Sequence, residues 1–155
     1  MTARRLLSLL VFPLLLAGCE RPEEAGAVEP LTASQAPPRV YDTAVLERGR
    51  NLYAQHCAAC HGADAEGDPQ WRERRPDGRF RPPPLNGSGH AWHHPWRQLH
   101  QIVKHGRDPR QSDMPGWGDR LSDADIDAIL SWLQSLWPEP AYQGWYRIDQ
   151  KSRRR

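Results

Sequence analysis

Residues 57–61 read Cys57-Ala58-Ala59-Cys60-His61. Two thiols separated by two residues and followed at once by an imidazole form the Cys-x-x-Cys-His pattern of covalent c-type haem attachment. The spacing has a chemical cause. Each thiol can form a thioether to one vinyl group of the same porphyrin, and the adjacent histidine is then held beneath the iron as its proximal ligand. Cys-x-x-Cys alone also serves redox dithiols and zinc sites. A redox dithiol needs a βαβ setting, whereas Cys57 ends a helical pattern. A structural zinc site needs a second ligand pair, and no cysteine pair remains for it. The pentapeptide therefore predicts one covalent haem c on Cys57 and Cys60, with His61 on the iron.

The composition agrees. The chain has 155 residues, for which one domain is the prior, and only 38% of them are apolar, with 15 Pro and 12 Gly. A core made from such a chain alone would be thin, and a buried porphyrin would supply the missing apolar volume. The three cysteines leave Cys19 over once Cys57 and Cys60 are assigned, so no disulfide is expected. The formal charge is +2, from 21 basic and 19 acidic residues. Without Arg4 and Arg5 the basic count falls to 19 against the same 19 acids. A near-neutral chain argues against general nucleic-acid binding.

Residues 1–18 read as a targeting segment. Arg4 and Arg5 precede an apolar run, Leu6 to Leu16, that is broken only by Ser8 and Pro13 and is short for a membrane span. It ends in Leu16-Ala17-Gly18-Cys19, which resembles the lipobox of bacterial lipoproteins. That resemblance implies acylation of Cys19 as the first mature residue. The other reading is an ordinary signal peptide with an incidental cysteine, and both export the chain. Residues 19–40 are rich in Glu, Ala and Pro without an apolar period, which predicts a disordered tether.

Hydrophobic periodicity predicts three main helices and no strands. The first covers about Thr43–Gln55, capped by Asp42 or Thr43, with Val45, Leu46, Gly49, Leu52 and Tyr53 on one face. A glycine inside a helix costs about 1 kcal/mol relative to alanine, so Gly49 points to a close helix crossing. The second begins at Pro95, carries Trp96, Leu99, Ile102 and Val103, and ends at Gly106. The third starts at the Ser122 cap and carries Ile126, Ile129, Leu130, Leu133 and Leu136, with Pro138 and Pro140 as its stop. The loop between His61 and Pro83 holds Arg72, Arg74, Arg75, Arg79 and Arg81. It reads either as a solvated loop or as a docking patch for an acidic redox partner. Residues 141–155 form an aromatic and basic tail without an assigned role.

Helix, Cys-x-x-Cys-His, Pro-rich loop, helix, Met-Pro, helix: this order resembles the class I, single-haem cytochromes c of bacteria over roughly Thr43–Pro138. The resemblance implies a small all-α cytochrome c fold wrapped around the haem, with a domain at 41–140. It implies that Gly49 and Tyr53 pack on the last helix, against Ile129, Trp132 and Leu133. It also implies that the Pro83 carbonyl accepts a hydrogen bond from His61, that Leu85 packs on the haem, and that Met114, before Pro115, is the distal ligand. Met114 also stands on counting, because the chain has two methionines and Met1 would leave with the targeting segment. The rivals for iron or a second metal are the loop histidines His90, His93 and His94. His56, His100 and His105 complete the set, the last two as helix-surface residues.

The expected function is single-electron transfer by a periplasmic, lipid-tethered carrier with a saturated His61/Met114 iron. No catalytic residue, small-molecule substrate or nucleic acid is expected, and the partners are redox proteins. Two alternatives remain: a haem enzyme or ligand sensor with a labile sixth position, and an electron-transfer subunit of a larger oxidase or dehydrogenase complex. Glu20 after Cys19 resembles the outer-membrane sorting signal of Gram-negative lipoproteins.

Overall fold

A computed structural model describes residues 35–154. The targeting segment and Cys19 lie outside the described residues. The described residues form five α-helices: α1 (Thr43–His56), α2 (Ala58–His61), α3 (Trp96–His105), α4 (Asp123–Ser135) and α5 (Glu139–Arg153). A 3-10 turn at Ala91–His93 precedes α3. Among the described residues no strand forms; the only β-type pairing there is an isolated antiparallel bridge between Arg74 and Phe80. The expected all-α cytochrome c architecture is the one observed.

Local chemistry accounts for the helix ends. Asp42 caps α1, its Oδ1 accepting from the amides of Ala44 at 2.7 Å and Val45 at 3.3 Å. Ser122 caps α4 in a reciprocal box: its Oγ accepts from Asp125 N–H at 3.2 Å, and Asp125 Oδ2 accepts from Ser122 N–H at 3.1 Å. Pro95 sits one position outside α3 and supplies no side-chain cap. The buried carboxylate of Asp149 does so from a distance, accepting from Trp96 N–H at 2.9 Å.

The central packing event is the crossing of α1 and α4. Gly49 makes it possible: a Cβ there would lie 2.0 Å from the Ala128 carbonyl oxygen. Below the crossing, the Tyr53 and Trp132 rings meet at 4.6 Å between centroids. Tyr53, Ala65, Val103, Leu121, Ile126, Ile129, Leu130 and Leu133 form the first buried cluster. Two residues expected on apolar faces are instead exposed. Val45 at the start of α1 is 40% exposed, and Leu136, the residue that ends α4, is 38% exposed.

The expectation for residues 141–155 needs correction. Residues 141–153 are not a tail outside the domain but most of α5, and Ala141, Tyr142 and Trp145 form a second buried cluster with Ala36 and Trp137. Pro138 and Pro140 separate two helices rather than end the fold, because Pro140 falls in the first turn of α5, where its missing N–H has no partner to lose. The tether boundary moves as well. Residues 36–39 are docked on α4 and α5, with Ala36 N–H donating to Gln143 Oε1 at 2.8 Å. Arg39 Nη1 donates to the carbonyls of Gln134 at 3.1 Å and Trp137 at 2.7 Å. The Gln134 carbonyl, in the last turn of α4, also accepts from Trp137 N–H at 3.1 Å, and a cation is favoured at a helix C-terminus.

Candidate functional site

The pentapeptide is one helical turn. Cys60 and His61 N–H both donate to the Cys57 carbonyl, at 3.1 and 2.9 Å. Residues three apart on a helix share a face, so Cys57 and Cys60 present their thiols side by side. Both thiols are free, Cys57 half-buried and Cys60 exposed. Burial, and then the neighbouring Cys60, push the Cys57 thiol up to about 11.

His61 is buried, at 7% exposure, and its Nδ1 lies 2.9 Å from the Pro83 carbonyl oxygen. A carbonyl only accepts, so Nδ1 carries the proton in this bond and Nε2 keeps its lone pair. Burial lowers the His61 pKa from its ordinary value, with the Pro83 bond opposing. The ring is thus held neutral, in one tautomer, with Nε2 available to a metal.

The loop after His61 is tied back so that Pro83 can reach the ring. Ala65 is fully buried with φ at 56°, and its carbonyl accepts the amides of Leu85 at 2.8 Å and Asn86 at 3.2 Å. Tyr53 donates its hydroxyl to the Gly62 carbonyl at 2.7 Å. Trp137 Nε1 donates to the Leu85 carbonyl at 2.8 Å. Of these supports only Tyr53 was singled out in the sequence. Ala65 in a left-handed conformation leaves no trace there, and Trp137 stands just past the α4 stripe.

Met114 is half-buried and packs against the first cluster with Leu52, Cys57, Leu85, Leu99 and Trp117. Its amide donates to Ser112 Oγ at 3.2 Å, and its carbonyl accepts from Arg107 N–H at 3.1 Å. The segment beyond it is stitched to the end of α3, with Trp117 N–H on the Val103 carbonyl and Gly118 N–H on the Lys104 carbonyl, both at 3.0 Å. Gly106 permits this approach. It has φ 76°, and a Cβ on it would lie 2.6 Å from Gly116 N.

The donor set fits a haem: two free thiols on one helical face, a neutral imidazole aimed by a carbonyl, and a thioether in an apolar surround. The loop histidines do not assemble a rival. His90 stacks on Trp71 at 5.4 Å and meets the His94 ring at 5.6 Å, while His93 lies against Trp92 at 3.7 Å. Among the described residues no group of three or more His, Cys, Asp or Glu could hold a metal ion. His56 lies 5.0 Å from the Trp117 ring. His100, expected on the helix surface, faces α4, with Asp123 at 3.6 Å. Of the five loop arginines, Arg75, Arg79 and Arg81 pair with Asp77, Asp113 and Asp68 of the protein itself. Arg72 and Arg74 lie over the rings of Trp71 and Phe80. Among the described residues no helix is long and apolar enough to cross a membrane.

The family model described as cytochrome c oxidase, cbb3-type, subunit III matches residues 44–133. The chain is 31% identical over 98 residues to the cbb3-type cytochrome c oxidase subunit CcoP of Azospirillum brasilense, covering 63% of this chain and 30% of that one. It is 27% identical over 106 residues to the subunit FixP of Sinorhizobium medicae, covering 68% and 32%. To the subunit FixPc of Rhizobium leguminosarum bv. viciae it is 27% identical over 124 residues, covering 76% and 39%. It thus spans roughly a third of the length of these relatives. No solved structure gives a significant match. The matched segment runs from α1 through α4 and contains the haem-attachment turn, the Pro83 carbonyl and Met114, so the chain belongs to the cbb3-type cytochrome c oxidase subunit III family and its helical domain is a c-type cytochrome.

Proposed function

We propose that this chain transfers electrons as a subunit of a cbb3-type or closely related oxidase complex, tethered to the membrane through a lipid on Cys19. The similarity to CcoP and FixP across α1–α4 carries this reading, and it favours a complex subunit over a free carrier. Cys57 and Cys60 would hold one haem c by thioethers, with His61 and Met114 on its iron. When bound, the haem supplies a reversible one-electron couple, and His/Met ligation sets that couple at higher potential.

The protein's own part is to position and to exclude water. The Pro83 carbonyl orients the His61 ring and increases its basicity toward a metal. Leu52, Leu85, Leu99 and Trp117, like Cys57 and Met114, pack against the first buried cluster and add apolar surface to it. His61 and Met114 would hold the group, and their own positions are fixed by the Pro83 carbonyl and by Arg107 and Ser112. The lipid tether on the segment before residue 36 would keep the domain near its membrane partner.

Three measurements on the full chain test the reading. A tagged chain, solubilised from membranes in mild detergent, should co-purify with an oxidase; elution alone would leave a free carrier. Cys19→Ser should release the haem-bearing domain from membranes that high salt does not strip. The oxidised protein should show the weak red-edge band of sulfur–iron(III) bonding, absent in Met114→Ala. Ready carbon monoxide binding by the reduced wild type at neutral pH would instead mark an open sixth position, and a sensor or enzyme.

A further inference from the structure

The arginine-bearing loop is joined to the segment that leads into Met114. Arg79 Nη1 donates to Asp113 Oδ1 at 2.8 Å, and Arg75 Nη2 donates to Asp113 Oδ2, so each carboxylate oxygen holds one guanidinium. Phe80 N–H donates to the Gln111 carbonyl at 2.8 Å. These three contacts end on residues 111 and 113, immediately before the methionine. The loop that supplies them is internally braced. Arg75 N–H bonds the Arg79 carbonyl, and Gly78 N–H bonds the Arg75 carbonyl, both at 2.9 Å. Asp77 meets Arg75 at 3.1 Å, and the Arg74 guanidinium lies 3.9 Å above the Phe80 ring.

The other side of Met114 is already secured by Arg107 N–H and by the stitching of residues 117 and 118 to the end of α3. The approach side has the Ser112 hydroxyl, a local turn in which the Asp108 carbonyl accepts from Gln111 and Ser112 N–H at 2.9 and 3.0 Å, and, as its contacts to the distant loop, those just given. We propose that Arg75, Arg79 and Asp113 form a clamp that holds the Met114 segment against the domain, with Asp113 as a positioning residue. Its effect on the iron rests on the reading of Met114 as sixth ligand. An isolated exposed ion pair contributes little, because ordering two long side chains offsets the attraction. Here one carboxylate engages two arginines, and Arg75 is already ordered by Asp77 and by its backbone hairpin. Less entropy is therefore lost per contact. The partners lie 34 and 38 residues apart in sequence, so the clamp closes the Met114 segment onto a distant loop.

The test uses the full haem-loaded chain and two readouts. One is the rate of carbon monoxide uptake by the reduced protein, which requires the sixth ligand to leave. The other is hydrogen exchange of the amides in residues 107–117, which does not depend on what binds iron. Asp113→Asn should speed both about fivefold or more, the scale of one charged contact. Arg75→Gln with Arg79→Gln should do the same, and combining them with Asp113→Asn should add nothing, because all three remove one interaction. Asp113→Glu should stay near wild type. Exchange in α1 and α4 should not change in any variant. Wild-type exchange in residues 107–117 of Asp113→Asn overturns the clamp. Faster exchange there with unchanged carbon monoxide uptake, in a protein where Met114→Ala also leaves uptake unchanged, keeps the clamp and refutes Met114 as ligand.

Discussion

Replacing Gly49 with alanine tests the central crossing most directly. The new Cβ would fall 2.0 Å from the Ala128 carbonyl oxygen, 2.6 Å from its carbon and 3.0 Å from Trp132 Cβ. Ordinary carbon–oxygen contacts begin at about 3.3 Å, so α1 and α4 must part by about 1 Å. All three neighbouring atoms belong to a helix backbone or its first side-chain carbon, and none can swing aside. A radial gap of that size forfeits about a quarter to a half of the dispersion energy of each contact along the seam. With no neighbouring atom free to move, overpacking costs about 3 kcal/mol, the upper end of its usual range, and alanine's better helix propensity returns about 1 kcal/mol, leaving a net loss of about 2 kcal/mol. For a domain of this size each kcal/mol is worth about 4 °C, so the melting temperature should fall by about 8 °C. The assay is thermal or guanidinium unfolding of the haem-loaded protein, followed by helix signal. Asn51→Ala, at an exposed position of the same helix, is the control and should be neutral or slightly stabilising. If Gly49→Ala melts with or above that control, the helices do not cross at Gly49.

Three further outcomes are expected. Cys57→Ser and Cys60→Ser together should leave no haem attached after acid-acetone extraction or denaturing electrophoresis, and haem retained by the double variant would place its attachment elsewhere. Trp145→Ala should cost about 3–5 kcal/mol, since that ring is buried between Trp96, Trp137 and Tyr142; an unchanged unfolding midpoint would show α5 to be an appendage. The Ser122 hydroxyl, and then Arg48, hold the Asp125 carboxyl below its ordinary 3.8. A depressed folded pKa gives stability that is present above the unfolded value and lost as pH falls through the folded one. Asp125→Asn should therefore be less stable than wild type at pH 7, and the difference should shrink as pH falls below the ordinary 3.8 and through the depressed folded value; a difference that stayed undiminished down to the acid limit of folding would contradict this.

Much of the site was legible because its chemistry is local. Cys57, Cys60 and His61 lie within one helical turn, so their order along the chain is also their arrangement in space. The Asp42 and Ser122 caps act over two or three residues and can be read in the same way. Gly49 stood out because a glycine inside an apolar helical stripe needs a reason, and the Ala128 carbonyl is that reason. The Pro83 contact to His61 spans 22 residues, and a family resemblance supplied what no local rule could.

Contacts made across the fold decided the rest. α5 was missed because two prolines outweighed the spacing of Ala141, Tyr142, Trp145 and Asp149, although proline is tolerated in a helix's first turn. The role of Asp149 could not be read at all, since it completes α3 from 53 residues away. The arginines of residues 72–81 looked like unspent positive charge because Asp113 lies more than thirty residues further along the chain. Arg39 looked like part of a tether because the carbonyls that bind it, of Gln134 and Trp137, lie 95 and 98 residues further along the chain. Sequence alone determined the haem-bearing turn and the helices that flank it, since capping, periodicity and i,i+3 spacing act within a few residues. Tertiary structure alone decided where the domain ends and which charges are satisfied, because a partner for a distant carbonyl or carboxylate exists only once the helices have packed.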